Sequence, residues 1–404
     1  MHSNSQSSRL GDYFRPQKLI LKICGISLRE NESISYRLYS GFVMCMIVSL
    51  LFVEIHGIVV HIKDVENLAG FIAIVFQHVL TLFKLIILKR NRAIISETLQ
   101  MLHEGCFAPN FERGGAIEEK LIKECNHDIF VRSATYYIAG AITIGNAVII
   151  ALRTKLGQDD YRLWETFWLP FELFEIKSTT CYYIVYIYCS LAITYFSTFV
   201  MVTDLLITSV IKHATTHFVI LGNFIRNITK YKVEKNNDEL YNDYPKLRND
   251  RLRMRMRAAI VYHQEIIKVT ERFENLFNIF ILCEFVGSIF VLCGTMYKST
   301  LYSLGDQRTI RECVFLFTMT TQLFIYCYCG NELTLSSTSV SFACYEADFI
   351  DEDLWFQKNL LMIMMRSQKP VALTAGKFTV LSLPAFVGIL RVSYSSAMVL
   401  RKAN

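Results

Sequence analysis

The chain reads as an all-α membrane protein with seven transmembrane helices. Three observations predict this: its composition, the recurrence of apolar runs of membrane length, and the sidedness of its basic residues. Of 404 residues, 52% are hydrophobic and 19% charged, and the mean hydropathy is +0.31, too apolar for a soluble chain of ordinary composition. A bilayer core of about 30 Å takes roughly 20 mostly apolar residues per helix. Runs of that kind lie at 38–60, 68–88, 133–152, 181–210, 276–296, 312–330 and 381–400. The N-terminus and the even-numbered loops hold roughly three times as many Lys and Arg as the odd-numbered loops and C-terminus, so the positive-inside rule predicts a cytoplasmic N-terminus and an extracellular C-terminus.

The elements follow in order. Residues 1–35 form a cytoplasmic segment in which "FRPQKLILKICGI" mixes Lys with apolar residues and predicts an amphipathic helix lying on the membrane interface. Helices one to four occupy 36–210. The first carries Glu54 and His56 near its end, and the second is the cleanest, its Lys84 close enough to the end to snorkel. The fourth holds Asp204 and is long enough to tilt or project beyond the bilayer. Residues 211–272 read as a cytoplasmic loop with helix extensions, and 273–330 as helices five and six. A cytoplasmic helical anchor follows at 331–380 and includes the first half of helix seven. Its second half, 381–404, is the weakest span by hydropathy because Arg391 falls near its middle.

Little in the sequence points to catalysis. There is no G-x-S-x-G, HExxH or Gly-rich phosphate loop, so neither an enzyme nor a cofactor site is indicated. The 12 cysteines form no CxxC or Cys/His array, which argues against zinc and a disulfide framework. Cys327 and Cys329 sit in an apolar run and read as packing residues. Sequons at Asn31 and Asn227 fall on the cytoplasmic side and are expected to stay unglycosylated. His78, beside Gln77, is polar in an apolar span: a functional candidate or a packed residue bonded to a neighbouring helix. The basic run Arg248, Arg251, Arg253, Arg255 and Arg257 is either a solvated cytoplasmic face or a contact for anionic lipid headgroups. Nothing supports nucleic-acid binding.

The last seventy-odd residues are more specific. Gly330-Asn331-Glu332, the stretch from Ser337 to Ala343 followed by Tyr345, Met364-Met365-Arg366-Ser367-Gln368-Lys369-Pro370, and Leu373-Thr374-Ala375-Gly376-Lys377-Phe378 resemble the C-terminal signature of insect odorant receptors. "VYHQEIIKVTERFENLF" from Val261 resembles the family's run into its fifth helix. Phe349 stands where many members carry Trp, and Pro384 where most carry another residue; proline is tolerated in a first helical turn, where its missing N–H has no partner anyway. The fourth loop lacks the extra length of the family's coreceptor, so the chain resembles a ligand-tuning subunit. The resemblance implies an odorant-gated, non-selective cation channel of four subunits around one axis, formed with the coreceptor in the plasma membrane of the olfactory neuron dendrite. Its ligand would be a small volatile molecule, apolar or weakly polar. A gustatory receptor channel is the alternative, but Ser393-Tyr394-Ser395-Ser396 does not reproduce that family's ending. A G-protein-coupled receptor would carry Asp/Glu-Arg-Tyr and Asn-Pro-x-x-Tyr motifs, and neither is present.

By the same resemblance, the odorant pocket is expected in the outer half of the second, third, fourth and sixth helices. Helical periodicity there puts Ile74, Gln77 and His78, then Tyr137, Gly140 and Ile144, then Tyr186 and Ser190, and finally Phe317, Thr320, Thr321 and Phe324 on single faces. The pore is expected along the second half of the seventh helix, with its gate near the extracellular end. Helical spacing places Val399 and Ala403 on the lumen side with Ser395 and Ser396 nearby, while Arg391 faces either the pore or a packed neighbour.

Overall fold

The computed structural model describes residues 12–29, 32–60, 65–110, 113–158, 178–230, 245–301 and 307–403. A short helix α1 (Arg15–Ile23) leads into α2 (Ile34–Val60), α3 (Val65–Arg90) and α4 (Arg92–Met101). Four long helices follow: α5 (Gly115–Gln158), α6 (Thr179–Arg226), α7 (Pro245–Ser299) and α8 (Gln307–Tyr345). The chain ends with α9 (Leu354–Ser367), a hairpin of β1 (Thr374–Ala375) and β2 (Thr379–Val380), and α10 (Leu383–Ala403). Among the described residues, α2, α5, α6, α7, α8 and α10 are each long and apolar enough to cross a membrane. The 26-residue α3 packs against α2 and α7 and makes the seventh. Successive long helices run antiparallel, so the molecule has a basal end, carrying α1, α4, α9 and the hairpin, and a distal end where α2, α5, α7 and α10 finish.

The spans do not stop at the bilayer. At 1.5 Å per residue, the 55-residue α7 measures about 80 Å, and α6, at 48 residues, runs well past any hydrocarbon core. Most of the expected fourth loop is therefore helix, α6 reaching Arg226 and α7 resuming at Pro245. Ser178 starts α6 by accepting the backbone N–H of Cys181 at 3.2 Å, and Asp353 starts α9 by accepting that of Phe356 at 2.9 Å, each filling an orphan donor of a first turn.

α6 changes character along its length. From Thr179 to Val200 its buried residues recur every third or fourth position, as at Tyr182, Val185, Cys189, Ala192 and Phe196; from Met201 to Ile225 almost every residue is buried. One-sided burial becomes burial all round, the mark of a central helix. Helix α1 joins this core: Phe14 and Leu21 are fully buried and Gln17 donates to Ser209 Oγ at 3.2 Å. The expected interfacial helix is thus docked on α6, leaving Leu19 and Ile23 exposed.

The first half of the expected seventh helix is not helical. Residues 371–380 form the hairpin, with Thr374 opposite Val380 and Ala375 opposite Thr379. Pro370 cannot donate to a helical ladder, and Gly376 and Lys377, at φ 58° and 64°, turn left-handed, which a right-handed helix cannot accommodate. The hairpin is tied to its neighbours: Val371 N–H donates to Ser337 Oγ at 3.0 Å, Thr374 N–H to Glu274 Oε2 at 2.9 Å and Gly376 N–H to Asn278 O at 2.8 Å. At Gly330 a Cβ would lie 2.3 Å from Leu381 Cβ, so only glycine admits this approach. The C-terminal signature is thereby largely a set of contacts that lock α8, α7 and the hairpin together.

Candidate ligand cavity and pore helix

In the distal half, α3, α5, α6, α7 and α8 line a cavity of about 120 Å³. Of the residues expected to form a pocket, Ile74, Gln77, His78, Gly140 and Ile144 line it. A Cβ on Gly140 would meet Met201 Sδ at 2.4 Å, so the glycine admits a methionine that itself lines the space. Residues absent from the sequence expectation complete the wall: Tyr136 and Thr143 on α5, Phe196 and Val200 on α6, and Phe315, Thr318, Met319 and Gln322 on α8.

The remaining expected residues lie elsewhere. Tyr137 is half-buried against Met201 and Leu205. Tyr186 stacks on Tyr182 and donates to Val148 O at 3.1 Å toward the distal end, with Ser190 one turn along. On α8 the expected face is turned away from the cavity. Phe317 lines a separate outward groove of about 390 Å³ with Ala139, Ile142 and Ile310. Thr320 and Thr321 are half-buried, and Phe324 meets Phe386 of α10 edge-to-face with ring centroids 5.6 Å apart.

The polar residues of the cavity belong to two buried networks. On one side, His78 Nδ1 stands 2.7 and 2.8 Å from the two carboxyl oxygens of Glu54, which is fully buried on α2. The His78 ring meets Phe196 edge-on, centroids 3.9 Å apart. On the other side, Gln322 donates to Asp204 Oδ2 and Glu284 Oε1, each at 2.6 Å. Tyr136 and Tyr326 donate to Asp204 at 3.2 and 2.8 Å. Lys84 pairs with Glu284 and stands 3.9 Å from Asp204. Lys84, Asp204 and Glu284 are all buried, so Lys84 does not snorkel; buried charges at this depth are tolerable because each has partners. Five helices meet in this second network, and its Tyr136 and Gln322 form part of the cavity wall.

Helix α10 has one packed face. Ile389, Ser393 and Ala397 are buried, and Ser393 Oγ lies 3.4 Å from Ile289 O of α7. The opposite face carries Arg391, Ser395 and Val399 at successive helical turns, all exposed, with Val399 at 66% and Ser396 half-buried beside them. The side chain of Ala403 lies outside the described residues. No group of three or more His, Cys, Asp or Glu suited to a metal ion occurs among the described residues.

The architecture is that of a multi-pass helical membrane protein with a small, mostly apolar chamber in one half of its bundle. The chain belongs to the 7tm odorant receptor family, whose model matches residues 65–394. Odorant receptor 67a of Drosophila melanogaster is 27% identical over 191 residues, a match that covers 47% of this chain and 44% of that protein. Odorant receptor Or1 of Anopheles gambiae is 20% identical over 356 residues, covering 84% of this chain and 82% of that one. The chain thus spans less than half the length of some of its curated relatives in these matches. The olfactory receptor OR5 of Machilis hrabei, solved in complex with eugenol, has the same fold: TM-score 0.77, 13% identity, and coverage of 99% of this chain and 100% of that structure.

Proposed function

We propose that this chain is a ligand-tuning subunit of an odorant-gated, non-selective cation channel that it forms with a coreceptor subunit. It resides in the plasma membrane of olfactory neuron dendrites, N-terminus inside and C-terminus outside. The observation that carries this reading is the pairing of a distal cavity with a helix, α10, that leaves a whole face unpacked in the single chain. A closed ring of subunits turns such a face toward a shared axis. Val399 then contributes to an apolar constriction that gates by dewetting, with Ser395, Ser396 and Ala403 near the lumen and Arg391 one turn deeper.

Cavity size bounds the ligand. A dry protein cavity of about 150 Å³ holds benzene, so this one suits a compact volatile molecule. Burying about 250 Å² of apolar ligand surface yields roughly 6 kcal/mol before costs, which places the dissociation constant between millimolar and micromolar. The test is ionic current from cells expressing the chain with and without a coreceptor. Robust odorant-evoked current is expected only with the partner; equal current from the chain alone would refute the subunit assignment.

A further inference from the structure

The Glu54–His78 pair has no part in the proposed gating. Glu54 is fully buried within α2, where nothing about packing calls for a carboxyl group, and its two oxygens both face His78 Nδ1. His78 lines the cavity and Glu54 does not. Most of the other polar groups of the wall are already engaged. Tyr136 bonds Asp204, Gln322 bonds Asp204 and Glu284, and the Thr143 and Thr318 hydroxyls, 2.8 Å apart, each have a backbone carbonyl of their own helix in reach. Gln77 packs its carboxamide oxygen against Gly287 of α7, buried and without a hydrogen-bond partner among the described residues. His78 Nε2, on the ring edge opposite Glu54, has no hydrogen-bond partner among the described residues.

A carboxylate opposite Nδ1 holds the imidazole hydrogen on that nitrogen and leaves the lone pair on Nε2. The ring edge remote from Glu54 is therefore a hydrogen-bond acceptor with no protein donor to meet it. We infer that His78, oriented by Glu54, accepts a hydrogen bond from a hydroxyl group of the ligand, so that the receptor prefers small alcohols and phenols to the matching ethers and hydrocarbons. The inference rests on the proposed use of this cavity as the ligand site. An ether of the same shape fills the space but offers this nitrogen no proton, and sites built around a hydrogen bond reject such analogues strongly. Glu54 is the positioning residue; it touches the ring and not the ligand.

The experiment records current from the chain co-expressed with coreceptor, using phenol and cyclohexanol against anisole, methoxycyclohexane and toluene. The hydroxyl compounds are expected to act at concentrations on the order of tenfold lower than their ethers. His78→Phe should bring that ratio to about one while responses to the ethers persist. His78→Gln, which keeps an acceptor, should preserve part of the preference, and Glu54→Gln should narrow it. Surface labelling of each variant separates a lost protein from a changed preference. Ile144→Trp fills part of the cavity and should remove every response. If wild type treats alcohol and ether alike while Ile144→Trp silences both, the cavity reading stands and the hydroxyl inference falls. If Ile144→Trp changes nothing, the ligand binds elsewhere and both fall. Silence toward both hydroxyl compounds, or a ratio unmoved by His78→Phe, overturns the inference as well.

Discussion

The two halves of α6 show how differently the two ends of this molecule are built. Distally the helix packs along one stripe and presents Ile184, Ile187 and Leu191 outward, each more than half exposed in the single chain. Basally it is enclosed on all sides by α1, α5, α7 and α8. Apolar side chains facing lipid gain nothing from the hydrophobic effect, so a distal helix can shift or repack around a chamber at small cost. The basal half is close-packed, and close-packed cores switch between discrete arrangements or do not move. The contrast separates a close-packed base from a distal half whose lipid-facing helices have room to shift.

The largest effects should arise where the halves join, at Lys84, Glu284 and Asp204. Removing the cation with Lys84→Met strands two buried carboxyl groups, and breaking such a pair costs about 3–5 kcal/mol. Little folded protein should survive in detergent by size-exclusion profile. Adding Glu284→Leu should restore much of it, because replacing both partners by apolar groups is often neutral. A single variant as stable as wild type would mean that the network contributes nothing to holding the halves together.

Within the base, Phe356 on α9 is fully buried, and Phe356→Ala should cost about 3–5 kcal/mol. The distal counterpart Ile184→Ala, at a site 64% exposed in the single chain, should stay within about 0.5 kcal/mol. Thermal unfolding of the two side by side checks the contrast, and equal losses would break it.

Sequence alone revealed more of the base than of the chamber, and the reason is physical. The signature around Gly330, Ser337 and Gly376 is specific because each of these residues meets backbone at close range, so its chemistry cannot vary freely. The chamber is different. A membrane helix is apolar toward lipid and toward its neighbours alike, so hydropathy periodicity does not reveal which face turns inward. That is why Phe317, Thr320, Thr321 and Phe324 were the expected face of α8 while Phe315, Thr318, Met319 and Gln322 are the lining one. Gln322 was a usable signal, since a carboxamide in a span seldom faces lipid. Glu54 and Lys84 looked like blemishes at span ends because their partners, His78 and Glu284, lie on other helices. The hairpin at 371–380 was signalled by Pro370 and Gly376, whose consequences for a helix outweigh apolar content.

The base should also respond to acid. Burial pushes the His263 imidazole down to about 4, with Arg366 adding to the shift, and holds His217, bonded to Tyr262, well below its usual value. The unfolded chain takes up these protons below about pH 6.5, whereas folded His263 does so only near 4. Between those values the unfolded state binds more protons, so stability falls as pH drops. For His263 the loss at pH 5 is on the order of 2 kcal/mol. A melting temperature that falls from pH 7 to pH 5, less steeply in His263→Gln, is the expected result; an identical slope would show that this imidazole does not contribute.

A smaller effect belongs to Gly140. In Gly140→Ala the new methyl lands on Met201 Sδ, the end of a flexible side chain that can yield into the cavity. Overpacking of this kind costs about 1 kcal/mol when the neighbour can move. The protein should fold, but larger ligands should lose potency more than small ones. A uniform loss across ligand sizes would mean that the chamber does not set the size limit.

The least effect on stability, and the sharpest on function, is expected at Val399. Its side chain touches little within the chain, so Val399→Ser should leave the melting temperature within a degree or two of wild type. If the exposed face of α10 lines a pore, a hydroxyl there hydrates the constriction and makes closing less favourable, raising current in the absence of ligand. Chamber variants act otherwise. A ligand opens the channel only through stronger binding to the open form, so Gly140→Ala alters that difference and leaves resting current and ion permeability alone, whereas Val399→Ser shifts the resting equilibrium itself. Because a partner subunit can dominate a shared ring, the serine must be placed in every copy of this chain. Unchanged resting current, permeability and ligand response together would remove α10 from the pore and leave its unpacked face to be explained by subunit contact alone.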